Sequence, residues 1–202
     1  MKLFEVEIKG LTPLLQRKMS EDILMGLLQN RKGSKIKVEQ DLSPREIAEN
    51  HVYKNEIGQC VFPADYICGA LGTVASDYKQ KSSGSGKKTY KSVIKGVVRP
   101  TTHILPLLTD QATPIMDFEV DIRAGTNHNA SGSAVAVVRP RFDKWRSSFQ
   151  IEIDDTIISP DLVHQMLEDA GRRAGLGSYR VSKGGYFGKF SVTKFKELEN
   201  KI

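Results

Sequence analysis

Residues 170–190, AGRRAGLGSYRVSKGGYFGKF, hold six glycines, five basic side chains, two tyrosines and no acid. These residue types together suit a single-stranded nucleic acid, which exposes both phosphates and splayed bases. Glycine accepts positive φ and lets a ligand approach the main chain, and successive exposed N–H groups form an anion nest. Arg172, Arg173, Arg180, Lys183 and Lys189 supply charge to neutralise phosphates, with Gly177, Gly184 and Gly185 as the points of close approach. Tyr179 and Tyr186 offer stacking faces, worth about 1–3 kcal/mol per base. The competing reading is a tight helix-to-strand connection whose charges are merely solvated. Two nucleotide-binding motifs are excluded. The stretch is not GxxxxGK[ST], and a Rossmann glycine loop follows a strand and opens a helix, whereas this one follows a helix and opens a strand.

Two more basic stretches join the first. No acid occurs between Asp77 and Asp110, an interval containing Lys79, Lys81, Lys87, Lys88, Lys91, Lys95 and Arg99. Arg139, Arg141, Lys144 and Arg146 surround the single tryptophan, Trp145, a candidate to stack or wedge bases. The formal net charge is a modest +6, so its clustering beside glycine and aromatic residues matters more than its size. Three such stretches point to a polyanion partner.

Nothing in the chain converges on a metal or a cofactor, and none is expected. Cys60 and Cys68 form no CxxC and read as buried free thiols. Asp117, Glu119 and Asp121 share one face of a strand by period 2, which reads as a solvated face.

The elements that must position these residues follow from periodicity. FEVEI (4–8) alternates as a half-buried strand. Ser43-Pro44 opens a helix, with Ser43 as N-cap and Pro44 in the first position. A helix is expected from about Ala64, burying Ile67, Ala70, Leu71, Val74, Ala75 and Tyr78, with Gly69 and Gly72 marking close approach by another backbone, that of a nucleic acid or of a sheet. Strands are expected at 93–98, 103–108, 116–122, 134–138 and 148–153. In 116–122, Met116, Phe118, Val120 and Ile122 share a face. Residues 160–173 form the clearest helix, capped by Ser159, opened by Pro160 and ended by Gly175, with a last strand at 186–193. Residues 20–55, 79–92 and 124–133 read as insertions or mobile loops, the last as the tip of a long hairpin. The sum is β–α–β, extra strands, then β–α–β: a single α+β domain over 1–202 with a ferredoxin-like core, inserted loops and a long hairpin. The opening MKLFEVEIKG has a strand pattern and not that of a signal peptide, and no apolar run is long enough to span a bilayer. The expectation is a cytoplasmic protein with no membrane partner.

The glycine stretch resembles the C-terminal glycine-rich signature of the RAMP superfamily, the repeat-associated proteins of CRISPR systems. Gly175-Leu176-Gly177 and Gly184-Gly185-Tyr186-Phe187-Gly188 carry the likeness, with a six-residue spacer as a slight departure. GQCVFPADYICGALGTVAS (58–76) and EIKGLTPLLQRK (7–18) are similar to segments of its backbone-type members. The resemblance implies an RRM-related core and a protein that binds single-stranded RNA, often as a homo-oligomeric filament or a ribonucleoprotein subunit. The loops at 79–92 and 124–133 would be finger and thumb elements. In compact relatives from phages and other mobile elements the ligand would equally be single-stranded DNA.

The resemblance also implies an alternative, because some members cleave RNA without metal through a His general acid or base. Of His51, His103, His128 and His164, only His51 has a fitting neighbourhood, with Tyr53 and Lys54 close in sequence. No catalytic residue is assigned. The leading expectation is a non-catalytic binder, and the alternatives are that endoribonuclease or a protein-interaction module using the same fold.

Overall fold

Alternation decides the first strand: Phe4, Val6 and Ile8 are buried, and Leu3, Glu5, Glu7 and Lys9 point the other way. The structure, a computed structural model, describes residues 1–19, 24–25, 28, 42–80, 88–126 and 134–199. Along the chain come β1 (Lys2–Gly10), β2 (Leu14–Leu15), α1 (Pro44–His51), β3 (Val61–Pro63), α2 (Asp65–Val74), α3 (Ile94–Val97) and β4 (Val98–Pro100). They are followed by β5 (Ile104–Pro106), β6 (Glu119–Thr126), β7 (Ala134–Phe142), β8 (Arg146–Ile153), α4 (Pro160–Asp169) and β9 (Phe190–Leu198).

The main sheet has the order β4-β8-β1-β9, each pair antiparallel. Val6 lies opposite Phe149 on one side and Phe195 on the other. Read in chain order, β1-α2-β4 and β8-α4-β9 are two split βαβ units, each straddling a strand of the other, which is the ferredoxin-like arrangement. The helix-side face joins one core with α2 and α4. His164 of α4 stacks on Phe195 at 4.8 Å, and Phe195 stacks on Phe4 at 4.8 Å. The opposite face is polar and laced with ion pairs: Lys194 to Glu5 at 2.7 Å, Arg99 to Glu152 at 3.2 Å, and Arg146 to Glu7. Among the described residues it carries no aromatic ring, so it lacks the base-stacking platform of an RRM sheet.

Two insertions build the rest. Residues 11–64 supply β2, α1 and β3; residues 101–145 supply β5 and the β6–β7 hairpin. β2, β7 and β6 form a second antiparallel sheet, and β3 pairs with β5. The long hairpin is present, and its connection at 127–133 lies outside the described residues.

Local signals explain most element ends. Ser43 and Glu46 form the capping box of α1, with Pro44 in its first turn. Pro160 opens α4, but the Ser159 side chain makes no capping bond. Residues Ala170–Ala174 widen to π-helical bonding, and the Gly175 N–H donates to the Ala170 carbonyl at 2.9 Å. Further expectations need correction. The stretch expected as a strand over 93–98 is mostly the helical turn α3, and only Val98 enters β4. The last strand begins at Phe190, not at 186, because the glycine turn absorbs the intervening residues. In the 116–122 segment Phe118 is buried, but Met116 and Ile122 are exposed. Cys60 is buried but Cys68 only half-buried; burial pushes the Cys60 thiol up to about 11.

Gly69 and Gly72 bring no other protein backbone close among the described residues. A side chain at Gly69 would meet nothing, and one at Gly72 would touch only the Lys95 stem. The close approach occurs at Gly171, where a Cβ would collide with the Phe190 carbonyl. Gly171→Ala should therefore destabilise the protein by about 1–3 kcal/mol, the usual range for overpacking. Gly69→Ala, in an exposed helix interior, should stabilise it by up to about 1 kcal/mol. Urea denaturation of the two variants checks both signs.

Candidate nucleic-acid interface

Residues 175–189 connect the π turn to β9 by folding back onto residues 12–15. The Ser178 N–H donates to the Leu15 carbonyl at 2.7 Å, Gly188 to Pro13 at 2.9 Å, and Lys189 to Thr12 Oγ1 at 2.9 Å. Gly177 has φ +76 and lies so close beneath Leu15 that a Cβ would strike its carbonyl. Within the turn, Leu176 donates to Gly188 at 2.9 Å and Gly185 to Arg180 at 3.0 Å. These donors are spent inside the protein, which corrects the expectation of an anion nest at them. Gly185 packs against the Tyr179 carbonyl, and Gly184, at φ +76, is open to solvent.

What the turn presents outward is side chains. Tyr179 is 47% exposed and sits at φ +51, a conformation rare outside glycine; Tyr186 is 62% exposed. Lys183 is exposed and Lys189 lies 5.7 Å over the Tyr186 ring. Arg180 is partly committed to bracing the turn, donating to the Gly177 carbonyl at 3.0 Å and Ser182 Oγ at 3.1 Å.

The β6–β7 hairpin brings two arginines to this cluster. Arg139 lies 5.7 Å over the Tyr179 ring, and Arg123 lies 4.5 Å over Phe187. Arg123 also binds both oxygens of Asp121, at 2.8 and 2.9 Å. Asp121 is buried, so the carboxylate face expected to be solvated is not uniform: Asp117 pairs with Arg45, Glu119 is exposed, and Asp121 is enclosed. Burial lowers the Arg139 pKa, and Arg17 and Arg123 push it the same way. Arg17 and Arg123 are not among the expected site residues, and Phe187 entered the sequence reading only as part of the glycine motif. The signal is local: Arg123 follows Asp121 at period 2 in β6, and Arg17 lies two residues past β2.

Other expected residues are held elsewhere. Trp145 is fully buried, donates Nε1–H to the Thr12 carbonyl at 3.0 Å and fills the space above Gly10. It is a core residue and offers no face to a base. Arg146 pairs with Glu7 on the open sheet face, and Arg141 donates to Asp143 at 3.0 Å. Arg172 bonds Asp169 at 2.8 Å, while Arg173 bonds Asp77 at 2.6 Å and Asp169 at 3.1 Å. Lys91 rims an open groove of about 570 Å³ with Lys95, floored by Gly69, Gly72 and Thr73 of α2. Lys79 and Thr89 form an isolated bridge, and Lys88 is exposed beside it; Lys81 and Lys87 lie outside the described residues. His51 is buried with Nδ1 at 2.7 Å from the Lys18 carbonyl, a contact that ties the end of α1 to the chain after β2. Among the described residues, no group of three His, Cys, Asp or Glu side chains is placed to hold a metal, and no helix is long and apolar enough to cross a membrane.

No protein-family model and no curated protein sequence matches the chain. Its fold is similar to a chain in the cryo-EM structure of the Type III-B Cmr-beta bound to cognate target RNA, with a TM-score of 0.53 and 13% sequence identity. The match covers 98% of this chain and 61% of that one, so the present chain spans about three fifths of its length.

The pairing around Asp169 has a consequence for acid stability. The Tyr78 hydroxyl, donating at 2.5 Å, holds the Asp169 carboxyl below its ordinary value of 3.8, with Arg172 and Arg173 assisting. A carboxyl depressed on folding stabilises fully above its ordinary value, and that contribution is lost as pH falls through the lower folded value. Asp169→Asn should flatten this acid limb in thermal melts taken across pH.

Proposed function

We propose that the protein is a RAMP-like binder of single-stranded nucleic acid, RNA in the first instance, and works without catalysis. The strand would lie along the seam between the glycine turn and the β6–β7 hairpin. The observation that carries this reading is the convergence of two exposed tyrosine rings with Arg139, Arg123, Lys183 and Lys189 from separate parts of the chain. Exposed rings beside cations suit a strand whose bases are splayed, since a duplex hides its base faces. The likeness of fold to a chain of a Cmr-beta complex bound to cognate target RNA supports RNA as the first ligand to test. The lysine-rimmed groove on α2 extends the basic surface, and successive copies would line up along one strand in the cytoplasm.

The test is a titration of nuclease-treated protein into labelled 30-mer single-stranded RNA, single-stranded DNA and duplex at two salt concentrations, with the masses of the complexes measured. Salt-sensitive binding to single strands in regular mass steps is the expected result. No retardation of any oligonucleotide at low salt overturns the reading. Lys183→Ala combined with Lys189→Ala should weaken binding to all sequences alike and make it less salt-dependent. Tyr186→Ala should cost about 1–3 kcal/mol of binding energy.

A further inference from the structure

The β2–β7–β6 sheet carries a row of charges that does not balance. Leu14 lies opposite Phe142 and Leu15 opposite Arg141. The Gln16 N–H donates to the Pro140 carbonyl at 3.1 Å, so the antiparallel register continues and sets Arg17 opposite Arg139. On the other side of β7, Arg139 lies opposite Asp121. Like charges directly opposite each other on a sheet repel. The single carboxylate of the row, whose oxygens both accept from Arg123 Nε, offsets only part of this positive charge. Among the described residues neither Arg17 nor Arg139 takes part in a salt bridge. Arg139 is only 9% exposed, and its Nε is shielded from solvent with no hydrogen-bond partner among those residues.

A shielded guanidinium N–H without a partner is unfavourable, and three guanidiniums around one carboxylate leave a net positive charge. An anion entering the site would offset that excess. The Tyr179 ring, over which Arg139 lies at 5.7 Å, adds a flat apolar face at the same place. A nucleotide unit supplies both complements at once: a tetrahedral anion that matches the guanidinium fork and a planar base. A carboxylate-bearing peptide supplies the charge but not the obligatory planar partner.

We propose that Arg139, flanked by Arg17 and Arg123, seats one phosphodiester of the bound strand while the Tyr179 ring takes the adjoining base. This rests on the single-strand reading above and gives it a fixed register, one seated phosphate per subunit. The lysines of the turn then act as screening charge, whereas Arg139 acts as the anchor.

The arginine Nε–Hε resonances of the labelled protein, titrated with inorganic phosphate and with chloride at matched ionic strength, test the seat directly. Arg139 and Arg17 should shift saturably with phosphate and not with chloride, and Arg139→Gln should abolish the Arg17 shift. Unmoved resonances overturn the seat whether or not the protein binds RNA. Binding of a 12-mer oligouridylate is the second arm. Arg139→Gln and the surface variant Arg17→Gln should each raise Kd about five- to tenfold. Without ligand, Arg139→Gln should melt no lower than the parent, since it removes an unpaired buried charge; a lower melting point assigns Arg139 a structural role and overturns the seat. Saturable phosphate binding with unchanged oligouridylate affinity in both variants overturns the phosphodiester assignment but leaves single-strand binding standing. Saturable phosphate binding by a protein that retains no oligonucleotide at all overturns both.

Discussion

Residues 10–16 have to satisfy three parts of the molecule at once, and most of the architecture follows from that crossing. Gly10 leaves the main sheet beneath the Trp145 indole, which donates to the Thr12 carbonyl. Pro13 and Leu15 accept hydrogen bonds from the glycine turn, and Leu14 and Leu15 then pair with β7. Buried backbone donors and acceptors must find partners, so this short strip cannot move without breaking bonds to both sheets and the turn. Its side chains add to the constraint: Gln16 is buried, donates to the Val61 carbonyl at 2.7 Å and accepts from the Tyr53 N–H at 3.0 Å.

The glycines of the C-terminal stretch make sense in that setting. Gly171 lets the end of α4 lie on Phe190, and Gly177 lets the turn lie on Leu15. Their work is to bring backbones together inside the protein. The chemistry facing solvent falls to the side chains between them, held on a turn whose main-chain bonds are already made. For a ligand of the kind proposed, such a platform would orient the tyrosine rings with little further loss of freedom.

Charge follows a parallel division. Across the open sheet face and around Asp169, cations and carboxylates alternate and pair. Along the seam between the hairpin and the glycine turn cations outnumber carboxylates: Asp121 bonds Arg123, and among the described residues Arg17 and Arg139 make no salt bridge. The net charge of the chain says little about where a polyanion would bind. The distribution of unpaired charge, at low dielectric and beside aromatic faces, says much more.

Alternation and capping residues were enough to read β1, α1, α2 and α4, because those signals act over a few residues and are set by backbone sterics and local hydrogen bonds. The concentration of glycine, tyrosine and cations at 170–190 was likewise legible, and the structure exposes Tyr179, Tyr186 and Lys183 on that turn. The sequence alone was silent on which cations were already neutralised. Arg172, Arg173, Arg141 and Arg146 look like ligand contacts in one dimension and are ion-paired in three. Trp145 reads as a stacking residue among basic neighbours, yet the return of β1 past it places its ring in the core. Arg17 and Arg139 are 122 residues apart in sequence and become neighbours through strand register, a pairing that propagates from Leu14 and Leu15. Local chemistry is written in residue types and spacing; partnership between distant charges is decided by topology, because only the folded sheet determines which side chains face each other and which water is excluded.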